Sequence, residues 1–390
     1  MSMKKFTKKM LAIVAAAAMT MGLAMPAFAS ETGTGERPKV TDAYISKTFN
    51  TEVNTGVVNG LKFKFTATQV KKGEGVNTTD HPITIPDITF AEPTIGPNKA
   101  VSKIDFGTFT KTNGVGEYVY EVKEEQQSEP AVAETDHEKL IMSKAEYTMH
   151  VYVVEDNGTF KIGNIIVNNK KDDKGDDSTG KVDNIGGNAD TNTFRFVNTY
   201  VQEAGTGTDP TNPGEDYTNY GSLNVSKKVV NLYTKAAQSF NFTASFVFPE
   251  GTDATTLKNG VKANGTDITN NLNSGYTFTL EDGKNMKFTG LPVGTEITVT
   301  EAATQNYKGS AVVTINGTEE NVAADGYNKD LSISKKKLGQ NKNAVDVTNT
   351  YNNVPTTGII MNTLPYVLMV ALCGVALVAF VASKRRKVQK

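Results

Sequence analysis

The chain has 390 residues, with 41 basic and 42 acidic side chains and a formal net charge of −1. This balance excludes the basic surface of a nucleic-acid-binding protein, and three scattered histidines with no hydrolase motif argue against a secreted hydrolase. The only cysteine, Cys373, lies in a C-terminal apolar run, so the remaining chain can form no disulfide. Large cores, a metal or another kind of cross-link must stabilise it instead. We expect no cofactor and no metal.

The N-terminus predicts a secretory signal peptide. Four lysines between residues 4 and 9 precede an apolar stretch from 10 to 25, and Ala27-Phe28-Ala29 supplies a small-x-small cleavage pattern before Ser30. We therefore assign residues 1–29 to the signal peptide and expect an extracellular mature chain.

The mature chain predicts an all-β fold of two tandem immunoglobulin-like β-sandwiches. Apolar and polar residues alternate in many short segments rich in Val, Ile, Thr, Tyr and Phe, and Asn-Gly pairs begin at 59, 113, 157, 259, 264 and 316. A Gly-, Thr- and Pro-rich stretch at 202–219 reads as a linker. It separates a first domain, 38–201, from a second, 220–352.

A triple of polar residues recurs in the two domains. Each domain has a lysine in its first strand, a glutamate at the end of an interior strand and an asparagine in a closing Asn-Thr-Tyr. The lysine-to-glutamate spacing is 77 residues in the first domain and 74 in the second. These residues are Lys47, Glu124 and Asn198 in the first domain, and Lys227, Glu301 and Asn349 in the second. The ordered recurrence indicates an internal repeat.

Strand alternation places all six residues on core-facing sides, because residues two apart in a strand share a face. A single such residue could be a strand-end side chain whose polar tip reaches solvent. Two sets in the same order favour chemistry between the three groups. Burial lowers the pKa of a lysine and raises that of a glutamate, so a neutral amine could attack the asparagine amide. The glutamate would polarise the asparagine carbonyl and carry protons while ammonia leaves. The predicted product is a Lys–Asn isopeptide bond.

The C-terminus has three parts in a fixed order. Val354-Pro355-Thr356-Thr357-Gly358 is followed by a mostly apolar run, 359–382, and then by four basic residues within 384–387. About 20 apolar residues are enough for a transmembrane helix, and the basic tail would hold its end in the cytoplasm. The segment 354–387 resembles the cell-wall sorting signal (LPXTG-like) of Gram-positive surface proteins. The resemblance implies sortase cleavage between Thr357 and Gly358; the alternative is a plain single-pass anchor.

The six residues together with this signal resemble the isopeptide-linkage domains of Gram-positive, streptococcal-type major pilins. That resemblance implies a bond from Lys47 to Asn198 with Glu124 as catalyst, and one from Lys227 to Asn349 with Glu301 as catalyst. The second domain is equally similar to collagen-adhesin-B-like sandwiches.

The same resemblance implies a wall-anchored pilus (fimbrium) backbone subunit rather than an enzyme. Its partners would be sortase, identical subunits in a covalent head-to-tail polymer, peptidoglycan and minor pilins at the tip or base, and the precursor would stand transiently in the plasma membrane. A solitary wall-anchored adhesin for host matrix or glycan remains the alternative.

Sortase polymerisation needs an acceptor lysine, and the Tyr-Pro-Lys motif of some backbone pilins is absent. By analogy the acceptor lies late in the first domain, where an exposed polar stretch, 168–190, carries candidates. They are Lys181, which ranks first because it is nearest the closing strand, and Lys170, Lys171 and Lys174. Five aspartates in this stretch lack EF-hand spacing, which favours a solvated loop over a calcium site.

Overall fold

The computed structural model describes residues 39–54, 56–73, 80–230, 238–272 and 274–352, together with 369, 370 and 373. The predicted signal peptide, the residues Thr357 and Gly358, and the apolar run 359–382 apart from those three residues lie outside these ranges. Within them, no helix has the length and apolar character needed to cross a membrane. All the strands belong to one compact unit that begins at Thr41.

The prediction of an all-β fold is confirmed. The described residues between 39 and 352 form 22 strands, one short α-helix and two single-turn 3₁₀ helices. The helices are α1 (Glu215–Tyr220) and the 3₁₀ turns Gly56–Val58 and Thr269–Asn271.

The first sandwich contains the strands β1 to β11. They are β1 (Tyr44–Thr51), β2 (Leu61–Phe63), β3 (Phe65–Lys71), β4 (Ile88–Phe90), β5 (Gly96–Lys103), β6 (Gly116–Glu124), β7 (Glu138–Ile141), β8 (Glu146–Asp156), β9 (Thr159–Lys171), β10 (Asp177–Lys181) and β11 (Arg195–Gln202). One sheet has the order β5-β1-β11-β7, the facing sheet has the order β10-β9-β8-β6-β3, and β2 pairs with β4. The first strand, β1, runs parallel to the last, β11.

Aromatic side chains fill the space between these two sheets. Phe196 of β11 packs against Phe65 of β3 and Tyr147 of β8, with ring centroids 5.2 Å apart in both pairs. All three residues are buried. This aromatic packing fixes the spacing of the strands that carry the first polar cluster.

The second sandwich contains the strands β12 to β22. They are β12 (Leu223–Val230), β13 (Phe240–Val247), β14 (Lys262–Ala263), β15 (Thr266–Asp267), β16 (Tyr276–Leu280), β17 (Asn285–Thr289), β18 (Glu296–Glu301), β19 (Tyr307–Ile315), β20 (Thr318–Ala323), β21 (Leu331–Lys337) and β22 (Ala344–Tyr351). A seven-stranded sheet, β15-β14-β17-β12-β22-β19-β20, faces a four-stranded one, β16-β13-β18-β21. The first strand, β12, again runs parallel to the last, β22.

Three of the Asn-Gly pairs form the hairpin turns that the sequence predicts. Asn157, Asn264 and Asn316 have φ values of 53°, 45° and 50°, and the glycine after each also has a positive φ. Such turns match the twist of the flanking strands. They connect β8 to β9, β14 to β15 and β19 to β20.

The polar stretch 168–190 differs from the solvated loop expected from its sequence. Its first residues end β9, and Asp177–Lys181 forms β10, the edge strand of the five-stranded sheet. An edge strand tolerates polar and charged side chains because one of its sides faces solvent. The polar composition of this stretch therefore predicted a loop where the structure has a strand.

Residues between the two sandwiches are hydrogen-bonded to the second sandwich. The backbone N–H groups of Ala204, Gly205 and Gly207 donate to carbonyls of Leu291, Gly339 and Gln340 at 2.7–3.0 Å. The carboxylate of Glu203, which is 2% exposed, accepts from Ser222 Oγ and Tyr217 at one oxygen and contacts His137 Nδ1 at 2.7 Å with the other. Thus part of the segment that reads as a linker is buried structure.

Candidate functional site: two buried Lys–Glu–Asn clusters

The first cluster spans both sheets of the first sandwich. Lys47 on β1 and Asn198 on β11 come from neighbouring parallel strands, while Glu124 ends β6 in the facing sheet. Lys47 Nζ lies 2.7 Å from Glu124 Oε1 and 2.9 Å from Oε2. Asn198 Nδ2 donates to Glu124 Oε1 at 3.0 Å. The glutamate therefore contacts both the amine and the amide nitrogen, and not the carbonyl oxygen that it was expected to polarise, which accepts from Ser143 instead.

This first cluster is enclosed in the core. Lys47 and Asn198 are 0% exposed and Glu124 is 2% exposed, and the lysine ammonium lies 4.7 Å from the centre of the Phe63 ring. Burial lowers the pKa of Lys47 from 10.5 to about 8, against the opposing effect of Glu124. Burial likewise raises the pKa of Glu124 above its ordinary value, against the opposing effect of Lys47. Both shifts favour the neutral forms of the two groups.

The second cluster repeats this arrangement. Lys227 Nζ on β12 lies 2.5 Å from Glu301 Oε1 on β18, and Asn349 Nδ2 on β22 donates to the same oxygen at 2.7 Å. The lysine ammonium lies 4.0 Å from the centre of the Phe240 ring. Burial lowers the pKa of Lys227 to about 8 and raises the pKa of Glu301.

The strand register is also the same in the two clusters. In the parallel pair β1 and β11, Lys47 lies opposite Phe196 and Phe49 lies opposite Asn198. In the parallel pair β12 and β22, Lys227 lies opposite Val347, and Asn349 again lies two residues further along. Lysine and asparagine are therefore diagonal neighbours on one face, close enough for long side chains to meet.

The surroundings of the two asparagine carbonyls differ. Asn198 Oδ1 accepts a hydrogen bond from the backbone N–H of Ser143 at 2.6 Å. Asn349 Oδ1 and Glu301 Oε2 are buried and have no hydrogen-bond partner among the described residues. A Cβ added to Gly309, opposite Asn349, would lie 3.3 Å from each of these two oxygens. The absence of a side chain at 309 leaves room for the second cluster.

Sequence reasoning found the six cluster residues but missed Ser143 and Asp173. Ser143 lies between β7 and β8, and Asp173 lies between β9 and β10. Asp173 stood out only as one of five aspartates in a polar stretch. No local pattern in the sequence marks either residue as a neighbour of Asn198.

Three of the predicted acceptor lysines, Lys170, Lys174 and Lys181, are exposed and Lys171 is half-buried, and the four differ in their partners. Lys170 and Lys171 form ion pairs with Glu121 at 2.8 Å and with Glu146 at 2.9 Å, respectively. Lys174 and Lys181 have no ion-pair partner among the described residues. Across all the residues that the structure describes, no group of three or more His, Cys, Asp or Glu side chains is placed so that it could hold a metal ion.

Comparison with known proteins gives a family match in the second sandwich. Residues 221–351 match the family described as "Domain of unknown function (DUF7601)". No curated protein matches the chain.

Several solved structures are similar to this chain at low identity. A crystallised variant of the major pilin from Streptococcus pyogenes is 19% identical, with 79% of this chain and 99% of that one covered and a TM-score of 0.31. Another structure of that pilin is 20% identical, with 80% of this chain and 99% of that one covered and a TM-score of 0.29. A Mobiluncus mulieris adhesin containing intramolecular disulfide, isopeptide and ester cross-links is 12% identical, with 79% and 98% covered and a TM-score of 0.23. At these TM-scores we base no functional conclusion on the likenesses.

Proposed function

We propose that each buried cluster forms a Lys–Asn isopeptide bond and that the chain is the wall-anchored backbone subunit of a pilus polymerised by sortase. The main support is the recurrence of one buried Lys–Glu–Asn arrangement in the same register in both sandwiches. Taking a lysine and a glutamate out of water costs several kcal/mol per ion, and even a paired buried lysine and glutamate are often no more stable than apolar side chains of the same volume. Two copies of such a cluster therefore call for a role beyond packing.

The groups in each cluster suit amide exchange. The proton of the lysine ammonium passes to the glutamate, and the neutral Nζ attacks the side-chain carbonyl carbon of asparagine. The glutamic acid then protonates Nδ2, the bond from carbon to Nδ2 breaks, and ammonia leaves. Nζ, which still carries one surplus proton after the attack, gives it to the regenerated glutamate carboxylate. One amide replaces another, so no oxidant or cofactor is needed. The contact of one glutamate with both nitrogens supports this proton transfer.

The bond would join the first and last strands of each sandwich. Because these strands are parallel neighbours, tension on the two chain ends would shear one strand against the other. A covalent bond between them would carry that load past the intervening strands. By the loop-closure estimate used for disulfides, each bond would also stabilise its domain by at most about 5 kcal/mol.

Polymerisation would use the C-terminal signal and a surface lysine. Sortase would transfer the Thr357 carbonyl to a lysine of the next subunit, and the last subunit to peptidoglycan. Among the candidates, Lys181 combines exposure, an edge strand and the lack of an ion-pair partner among the described residues. Glu121 raises the pKa of Lys170 and so disfavours its neutral amine. These features favour Lys181, with Lys174 next.

Intact mass spectrometry of the mature chain, residues 30–357, tests the cross-links. We expect a mass lower than the sequence mass by two molecules of ammonia. A deficit of one ammonia molecule would mean that one of the two clusters forms no bond. A mass equal to the sequence mass would mean that all six residues are ordinary core residues.

Cell-wall extracts test the pilus assignment. A backbone pilin should give a ladder of covalent multimers that Lys181→Ala abolishes and Lys170→Ala leaves intact. A single band in the unsubstituted strain would instead identify a solitary wall-anchored adhesin. A ladder that survives Lys181→Ala but is lost with Lys174→Ala would move the acceptor to Lys174.

A further inference from the structure

The carbonyl oxygen of Asn198 receives a short hydrogen bond from the protein backbone. The N–H of Ser143 donates to Asn198 Oδ1 at 2.6 Å, and Ser143 is 1% exposed. The Asn198 amide is therefore held at both ends, its nitrogen by Glu124 and its oxygen by Ser143.

One oxygen of the Asp173 carboxylate is hydrogen-bonded both to Ser143 and to the strand that carries Asn198. Asp173 Oδ1 accepts from Ser143 Oγ at 2.5 Å and from the backbone N–H of Val197 at 2.8 Å. Val197 precedes Asn198 on β11, and Ser143 carries the N–H group that reaches the amide oxygen. Asp173 thus fixes the donor relative to the acceptor.

The second cluster lacks this device. Asn349 Oδ1 is buried without a hydrogen-bond partner in the part of the chain that the structure describes. The two clusters therefore share their three principal groups but differ in what faces the amide oxygen. The second sandwich provides a natural internal reference for the role of Ser143.

We propose that the Ser143 backbone N–H is an oxyanion donor for isopeptide formation in the first sandwich, and that Asp173 is the positioning residue that holds it in place. This inference rests on the proposed isopeptide chemistry. When Lys47 Nζ adds to the amide carbon, the carbonyl π electrons move onto Oδ1, and the resulting negative charge strengthens the hydrogen bond from Ser143. When the carbonyl re-forms, the bond to Nδ2 breaks, ammonia leaves with a proton from Glu124, and Nζ gives its surplus proton to the Glu124 carboxylate.

Preorganised donors of this kind lower the barrier because they interact more strongly with the developing charge than with the neutral amide. Loss of a whole oxyanion donor costs on the order of 100-fold in rate. Loss of its positioning residue should cost less, since the N–H itself remains.

The test follows both bonds in the same molecules. Mature chain, residues 30–357, is purified unfolded from inclusion bodies and refolded, and samples quenched over time are digested and weighed to quantify each cross-link. We expect Asp173→Ala to slow the first bond about 10-fold or more and to leave the second unchanged. Asp173→Asn keeps an acceptor oxygen for both donors and should retain most of the rate. Asp176→Ala removes a charge from the same turn and should have no effect.

Slow folding would also delay the first bond, so the folding rate is measured separately. In a Lys47→Ala background, which cannot form the first bond, Asp173→Ala should leave the refolding rate followed by tyrosine fluorescence unchanged. A refolding rate slowed by the same factor would assign Asp173 to folding and overturn the inference.

Two further outcomes also overturn it, and they are distinguishable. Formation of the first bond at the unsubstituted rate in Asp173→Ala would dismiss the oxyanion role alone. Absence of both bonds from the unsubstituted chain would dismiss the proposed chemistry itself.

Discussion

Lys47 Nζ and Glu124 Oε1 lie 2.7 Å apart, and neither side chain has any surface open to solvent. An exposed pair at this distance would contribute little to stability, whereas a buried one is costly unless further contacts compensate it. Here the same glutamate also binds the amide of Asn198. In the reaction proposed above these three groups are the reactants and the proton carrier, and the folded core holds them in contact.

Removing a reactant should remove one bond and leave the other. Lys47→Ala or Asn198→Ala is expected to reduce the intact-mass deficit from two molecules of ammonia to one. Glu124→Ala should slow or prevent the first bond, because both bonding partners remain but the group that moves the proton is gone. The measurement is the mass of the intact chain and of its digested peptides.

Glu121→Ala is the matched control, since Glu121 is three residues earlier on β6 and pairs with Lys170 at the surface. It should keep the full deficit. Cross-linking of Glu124→Ala at the rate of the unsubstituted chain would rule out the catalytic role of Glu124.

The rate of bond formation should depend on pH in a bell shape. The lysine and glutamate titrate as a coupled pair, and the reactive form carries one proton on the glutamate and none on the amine. Below the raised pKa of Glu124 the amine is protonated as well, so the rate falls. Above the lowered pKa of Lys47, about 8, the pair loses the proton that the leaving nitrogen needs, so the rate falls again. Refolding at a series of pH values followed by mass analysis measures both limbs.

Folding in the Lys47→Ala background supplies the control across the same pH range. A bond-formation rate that continues to rise well above pH 8, with folding unchanged, would mean that Glu124 does not donate the proton.

The sequence predicted the parts of this site that depend on strand periodicity. The alternation of apolar and polar residues placed Lys47, Glu124 and Asn198 on the core-facing sides of their strands. The internal repeat predicted a second lysine, glutamate and asparagine in the other domain. Periodicity carries no information about loops that meet through tertiary contacts. Ser143 and Asp173 are 30 residues apart in sequence and meet only because β8 and β9 form a hairpin between them.

The linker illustrates the same limit. The composition of 202–219 indicated a solvated connection, yet Glu203 is buried through hydrogen bonds with residues of the second sandwich. A glycine- and threonine-rich segment can be well ordered when its backbone groups find distant partners. Those partners, such as Leu291 and Gly339, are not visible from local sequence.

Mechanical pulling should distinguish a cross-linked sandwich from an ordinary one. With both ends of the mature chain attached in a force spectrometer, the unsubstituted protein is expected to extend without unfolding either sandwich. Lys47→Ala should show a single unfolding event that releases the first sandwich, because the shear load then falls on the hydrogen bonds between β1 and β11. Lys99→Ala, which removes a surface ion pair with Asp190, should behave like the unsubstituted protein. Unfolding of both sandwiches in the unsubstituted chain would show that the proposed bonds do not carry the tension.

Space at Gly309 should control the second bond. A Cβ at this position would lie 3.1 Å from Leu331 Cβ and 3.3 Å from both Asn349 Oδ1 and Glu301 Oε2. Gly309→Val is therefore expected to displace these groups and slow the second bond, while the first bond forms normally in the same molecules. Gly326→Ala, where an added Cβ meets nothing within 4 Å, is the control and should change neither rate. A normal second bond in Gly309→Val would show that the cluster tolerates the added bulk.

The contact between the sandwiches should weaken as the pH rises through the folded pKa of His137. The hydrogen bond to Glu203 raises the pKa of His137 above 6.5, aided by the nearby charges of Asp136 and Glu138 and opposed by burial. A histidine whose folded pKa is raised contributes stability that is complete below its unfolded pKa and is lost as the pH rises through its folded pKa. The midpoint of thermal unfolding should therefore fall over that window.

His137→Gln is expected to flatten this dependence, and Glu203→Gln to lower the midpoint at every pH because it also weakens the acceptor for Ser222, Tyr217 and Gly290. The measurement is a series of calorimetric scans of the mature chain and the two variants. A bond inside each sandwich does not link the two domains to one another. The pH dependence of the unfolding midpoint should therefore also be present in the fully cross-linked protein. An equally steep decline in His137→Gln would assign the pH dependence to another group.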